Sequence, residues 1–188
     1  MKIEILYPEI CTLYGDKGNT MYLQKCLPDA EFVTTGLNEK PLFLRENIDM
    51  VYMCSMSEKN QELVLDRLMQ YKDEIAACMK DGKALFLMVG NSMELLGDYI
   101  KREDGTRVTG LGVVPGMYSV RQAPNRFNTL IKAKFNDMTL IGYTSRFAHT
   151  YGIPEDMTFC KVEIGQGSNP DTMNEGICKN RVIATYIH

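Results

Sequence analysis

Six consecutive apolar residues, Ala84-Leu-Phe-Leu-Met-Val89, lead without a spacer into Gly90-Asn91-Ser92, and few folds accommodate such a segment. So short an uninterrupted apolar run reads as a strand buried on both faces, the kind found in parallel sheets covered by helices. Met93, Leu95 and Leu96 then start a helical pattern, so strand, tight turn and helix make an elbow. The turn is predicted to place Gly90 or Asn91 at positive φ, which both residue types tolerate.

The same alternation runs through the first half. Strands are predicted over residues 2–6, 31–35 and 49–54, with a helix over 20–27 that Asn19 caps and Pro28 stops. Ser57 is predicted to cap a second helix, whose Val64, Leu68, Tyr71, Ile75 and Cys78 keep helical spacing until Asp81-Gly82. Beyond Gly105 the texture changes to turns and short strand-like runs at residues 117–120, 130–135, 139–143, 158–164 and 182–187. The expected fold is a single α/β domain: a three-layer, flavodoxin-like mixed sheet, parallel in its N-terminal half and more antiparallel in its C-terminal half.

Composition removes several functions. A chain of 188 residues with 45% apolar content buries a real core without staples. A net charge of -3 offers no basic field for nucleic acid. The cysteines Cys11, Cys26, Cys54, Cys78, Cys160 and Cys178 form no C-x-x-C pair or Cys/His cluster, so neither disulfides nor a metal is expected, and no cofactor either. The opening MKIEILYPEI is too short in apolar run for a signal peptide, and no stretch has the length of a membrane span. A cytoplasmic protein is expected.

In an open parallel sheet, ligands bind outside the carboxyl ends of the strands, which directs attention to the loops after Leu6, Cys54 and Val89. Gly15-Asp-Lys-Gly-Asn19, in the first of these, reads as a turn rather than a phosphate cradle. The elbow Met88-Val-Gly-Asn-Ser-Met-Glu-Leu-Leu-Gly97 resembles that of class I glutamine amidotransferases of the cobyric acid synthase type, most closely the amidotransferase subunits of lipid II isoglutaminyl synthase. Those proteins carry Cys-Gly-Gly-Tyr-Gln-Leu-Leu-Gly there. The resemblance is collinear along the chain, through Leu6-Tyr-Pro-Glu9, Leu13-Tyr-Gly-Asp-Lys-Gly-Asn19, Gly110-Leu-Gly112, Gly165-Gln-Gly-Ser-Asn169, Glu175-Gly176, Lys179-Asn180 and Ala184-Thr-Tyr-Ile-His188.

The resemblance implies one amidotransferase-like domain over residues 1–188, with the family pattern cut short after His188. It puts His188 at the position of the general base and Gly90 at that of the cysteine nucleophile. Asn91, Ser92 and Glu94 take substrate-binding positions for glutamine or a related small molecule. The partner it implies is a Mur-ligase-like synthetase subunit.

Three departures bear on chemistry. Gly90 has no side chain with which to attack a carbonyl. The family's Gly-Gly-Gly-Gln loop aligns with Cys54-Ser-Met-Ser57, whose side chains crowd an oxyanion pocket, and its Gly-Phe-Glu-Asn-His with Gly142-Tyr-Thr-Ser-Arg146. Ser92 and Cys54 are the substitute nucleophiles to weigh, and both read better as packing. The expected function is therefore a non-catalytic binding or scaffolding subunit. The rival is an active glutaminase delivering ammonia to a Mur-ligase-like or cobyric-acid-synthase-like partner, and a third reading is other hydrolase or ligand-binding chemistry in the same crevice. The fold is expected to accommodate Gly90→Cys without regaining activity, and Glu94 to set a negative charge near the substrate's carboxylate.

Overall fold

A computed structural model describes residues 1–188, the side chain of Tyr14 excepted. The parallel half is formed by β1 (Lys2–Leu6), β2 (Glu31–Thr35), β3 (Met50–Met53) and β4 (Leu85–Val89). All four residues of β3 are buried, as its apolar run requires.

Three helices accompany these strands: α1 (Lys17–Cys26), α2 (Glu58–Met69) and α3 (Lys72–Asp81). Helix α1 begins three residues before the predicted start, so Asn19 lies inside it and Asp16 is its N-cap. Asp16 does not cap with its side chain, because its carboxylate is engaged at the sheet edge. Ser57 caps α2 as predicted, accepting from the Asn60 amide. The single predicted helix up to Asp81 is two: the chain breaks at Gln70 and Tyr71 and restarts with Asp73 and Glu74 in a first turn that favours acids. The break preserves the stripe, since Val64, Leu68, Ile75 and Cys78 are all buried.

The second half supplies β5 (Tyr99–Lys101), β6 (Arg107–Thr109), β7 (Tyr118–Arg121), β8 (Phe127–Phe135), β9 (Met138–Arg146), β10 (Ala148–Tyr151), β11 (Thr158–Ile164), β12 (Asn174–Lys179) and β13 (Val182–Thr185). The main sheet has nine strands in the order β2-β1-β3-β4-β13-β12-β11-β8-β9, parallel from β2 to β13 and antiparallel beyond. This is the mixed α/β sheet expected. The remaining strands form a separate sheet, β10-β7-β5-β6, where one continuous sheet was expected.

The register of β13 on β4 positions the site. The two strands run parallel with Thr185 beside Val89, so the residues after both, Tyr186 to His188 and Gly90 onward, leave the sheet at the same edge.

Candidate functional site

Gly90 sits at φ +67°, the left-handed turn that the elbow needs. The elbow continues directly into the expected helix, which is of the tighter 3-10 kind, Gly90–Leu96. Ser92 explains its tightness: its hydroxyl donates to the Val89 carbonyl three residues back at 2.8 Å and lies 3.2 Å from that of Met53. The Ser92 side chain is fully buried. Asn91 clamps the elbow to the loop after β3, accepting from the Met56 amide at 2.9 Å and donating to the Met56 carbonyl at 2.7 Å.

Beside Gly90 lie Ser55, Asp16 and His188. A Cβ built on Gly90 would stand 2.6 Å from Ser55 Oγ, 2.8 Å from Ser55 Cβ and 3.3 Å from His188 Cε1. The expectation that Gly90→Cys fits without disturbance is therefore corrected, because Ser55 already fills that space. Ser55 is held there by Asp16, whose Oδ2 accepts from its hydroxyl at 2.8 Å and from its amide at 3.0 Å.

His188 reaches the site through a backbone pair with β9, its amide donating to the Tyr143 carbonyl at 2.8 Å and its carbonyl accepting from the Tyr143 amide at 3.0 Å. Gly142 permits this approach, since a Cβ there would meet His188 O at 2.5 Å. His188 Nδ1 is 3.7 Å from Asp16 Oδ1, with only 6% of its side chain exposed. Burial lowers the imidazole's pKa, opposed by the Asp16 carboxylate, so the ring is held toward its neutral form. Burial likewise raises the Asp16 pKa, against the bonds from Ser55.

Cys54, the other candidate nucleophile, is buried at the end of β3, and burial pushes its thiol up to about 12. It is a thiol and not a thiolate at neutral pH. Glu94 lies in the interior: Oε2 accepts from Gln61 Nε2 at 3.0 Å and Oε1 from the Tyr186 hydroxyl at 2.8 Å, and burial raises its pKa. The network continues from Tyr186 to Thr150 and Ser119, and from Gln61 to Arg121.

The cavity beside Gly90, walled by Ser55, Asn91, Glu94, Arg121 and Arg146, measures about 20 Å³. That accommodates about one water, whereas small-molecule pockets run to roughly 300–1,000 Å³. A space of ligand size, about 540 Å³, opens instead on the other side of Asp16, floored by Ile5, Phe32 and Cys54 and rimmed by Thr12, Lys17 and Gln24.

The predicted residues Gly90, Asn91 and His188 thus converge, while Ser92 and Glu94 face inward. Two residues of the site were not anticipated: Asp16, whose signal was an acid in the loop after β1, and Arg121, which nothing in the sequence singles out.

An elbow after the fourth parallel strand, facing a histidine delivered by the last, defines a protein of the glutamine amidotransferase type. The chain belongs to the CobB/CobQ-like glutamine amidotransferase domain family, whose sequence profile matches residues 2–188. It is similar to the lipid II isoglutaminyl synthase (glutamine-hydrolyzing) subunit GatD of Streptococcus pneumoniae, 26% identical over 192 residues that span 100% of this chain and 73% of the relative. The Staphylococcus aureus subunit of the same name is 24% identical, over 94% of this chain and 72% of its own. Among solved structures, a chain of PurLQS from Thermotoga maritima superposes with a TM-score of 0.68 at 10% identity, covering 100% of this chain and 86% of that one. A glutamine amidotransferase from the same organism gives 0.60 at 14%, over 100% and 75%.

Proposed function

We propose that this chain is an amidotransferase-like subunit that binds and scaffolds without hydrolysing glutamine. The observation that carries this is the occupation of the nucleophile's space by Ser55: the elbow has no side chain, and the neighbouring loop has grown into the gap. A glutaminase mechanism needs a thiolate at the elbow, a base to take protons and donors for the oxyanion. Here His188 is near the elbow, but the elbow offers it no group to deprotonate, and the adjoining cavity is too small for an amino acid.

Asn91, Ser92 and Glu94 then hold the elbow to the loop after β3 and to the interior, and the larger pocket beside Asp16 is where a small molecule related to glutamine fits. The likeness to the GatD subunits supports a cytoplasmic protein paired with a Mur-ligase-like synthetase subunit. The test is to treat the full chain with an electrophilic glutamine analogue and measure intact mass. No adduct is expected; stoichiometric labelling mapped to Ser55, Cys54 or Ser92 would replace this reading with that of an active enzyme.

A further inference from the structure

The small cavity beside the elbow has a wall that the glutamine chemistry does not explain. Arg121 and Arg146 both line it, and both are nearly sealed from solvent, with 6% and 3% of their surfaces exposed. Among the described residues, Arg121 Nε and Arg146 Nε and Nη1 have no hydrogen-bond partner. A buried guanidinium with unused donors is costly, because desolvation penalises its charge and nothing restores the lost water bonds.

The two arginines differ in their compensation. Arg121 shares the Glu62 carboxylate with Arg102, and that carboxylate is held down to about 2, first by Arg102. Arg146 has no carboxylate within hydrogen-bond reach among the described residues. Its Nη2 donates to the Gly167 carbonyl and lies 3.3 Å from Gln166 Oε1, and its guanidinium sits 4.5 Å from the centre of the Tyr186 ring. The acids nearby are otherwise engaged. Glu94 gives both oxygens to Gln61 and Tyr186, and Glu175 accepts from Thr185 and the Tyr186 amide. Glu58 also lines the cavity, half-buried at the start of α2. Two guanidinium groups thus line one space: the Glu62 carboxylate serves Arg121 directly, whereas Glu175 and Glu94 offset the charge of Arg146 only through Coulomb attraction, without a hydrogen bond.

We infer that this cavity is an anion site, holding a small monovalent anion, a halide or the carboxylate of a small acid, between Arg146 and Arg121. The size fits: about 20 Å³ admits one such group and excludes sulfate or phosphate. Guanidinium donors are suited to carboxylate and halide because they are planar, permanently charged and weakly hydrated. The anion site deepens the reading of the elbow, since Ser55, Gly90, Asn91 and Glu94 line this cavity together with the arginines, and its test reads anion-dependent stability, which is measured separately from glutamine hydrolysis.

The test is thermal unfolding of the full chain at constant ionic strength, replacing sodium gluconate stepwise with sodium chloride, bromide, formate or sulfate. A saturable rise in Tm of about 2–4 °C is expected for the small monovalent anions, corresponding to a few-fold excess over Kd in a chain of this size. Sulfate gives none, and Arg146→Gln abolishes the rise. A halide response without one from formate identifies a free ion; a formate response as strong or stronger points to the carboxylate of a small molecule. Should Arg146→Gln fail to fold, bromide-soaked crystals of the unaltered protein decide: an anomalous peak between the two guanidinium groups is expected. Indifference to anion type, an undiminished response in Arg146→Gln, or a water molecule in place of the bromide peak overturns the inference.

Discussion

The hydroxyl of Ser55 lies 2.6 Å from the point where a Cβ on Gly90 would stand, and its Cβ lies 2.8 Å from the same point. Real Cβ atoms do not approach so closely, so one of these two residues has a side chain because the other does not. Ser55 is also anchored, its hydroxyl and amide both bound to the buried Asp16 carboxylate. Moving it aside breaks those bonds.

Gly90→Cys should therefore destabilise the protein by about 2–4 kcal/mol, combining overpacking with a side chain at positive φ. Adding Ser55→Gly should recover about 1–3 kcal/mol of this, a coupling read from a double-mutant cycle of denaturant unfolding. Additive effects would mean that Ser55 is not the obstacle.

Glu94→Gln should stabilise the protein at pH 7 by about 1 kcal/mol, or roughly 2–4 °C in Tm. An amide keeps both contacts without the desolvation cost of a carboxylate, its oxygen accepting from Gln61 and its NH2 donating to the Tyr186 oxygen, whose hydroxyl hydrogen then turns to Thr150 Oγ1. Because burial raises the folded-state pKa, the cost of Glu94 is absent below the unfolded value near 4.5 and grows as pH rises through the folded one. The gain from Glu94→Gln should accordingly vanish in acid, as thermal melts across pH 4–8 would reveal.

His149, sealed in β10 against Phe127, is pushed down from 6.5 to about 4, first by burial and then by Arg146. The unfolded chain takes up its proton first as pH falls, so stability is complete above about 6.5 and declines toward 4, by on the order of 2 kcal/mol. His149→Leu should flatten most of that slope in urea titrations. His188, lowered in the same direction, leaves a remainder.

The parallel core was legible because its strands are wholly apolar and its helices carry clear stripes: residues 84–89 could form little else. The small sheet was not, because Tyr99–Lys101 and Arg107–Thr109 are three-residue strands of mixed polarity, too short to show a period. Asn174–Lys179 was hidden likewise, because Glu175 and Gly176 interrupt any apolar run, although the carboxylate is buried and pins Thr185 and Tyr186. At the site, Gly90 and His188 were readable by motif. That Ser55 answers Gly90 was not, since the exchange joins residues from different loops and exists only as a distance. The inward turn of Glu94 escaped for the same reason: its partners Gln61 and Tyr186 come from α2 and the end of the chain.

If the elbow of this chain has lost its nucleophile and closed over the gap, glutamate formation from glutamine is the rate that must reflect it. The purified full-length protein should be measured alone and with a synthetase-type partner, beside an active GatD subunit. Loss of a catalytic nucleophile costs on the order of a millionfold in a well-studied hydrolase, so no glutamate above the uncatalysed background is expected in either case. Gly90→Cys should remain inactive as well, since Ser55 still crowds the site. Turnover by the unaltered protein within roughly a hundredfold of the GatD subunit would show instead that another group does the nucleophile's work, because no inert elbow reaches that rate.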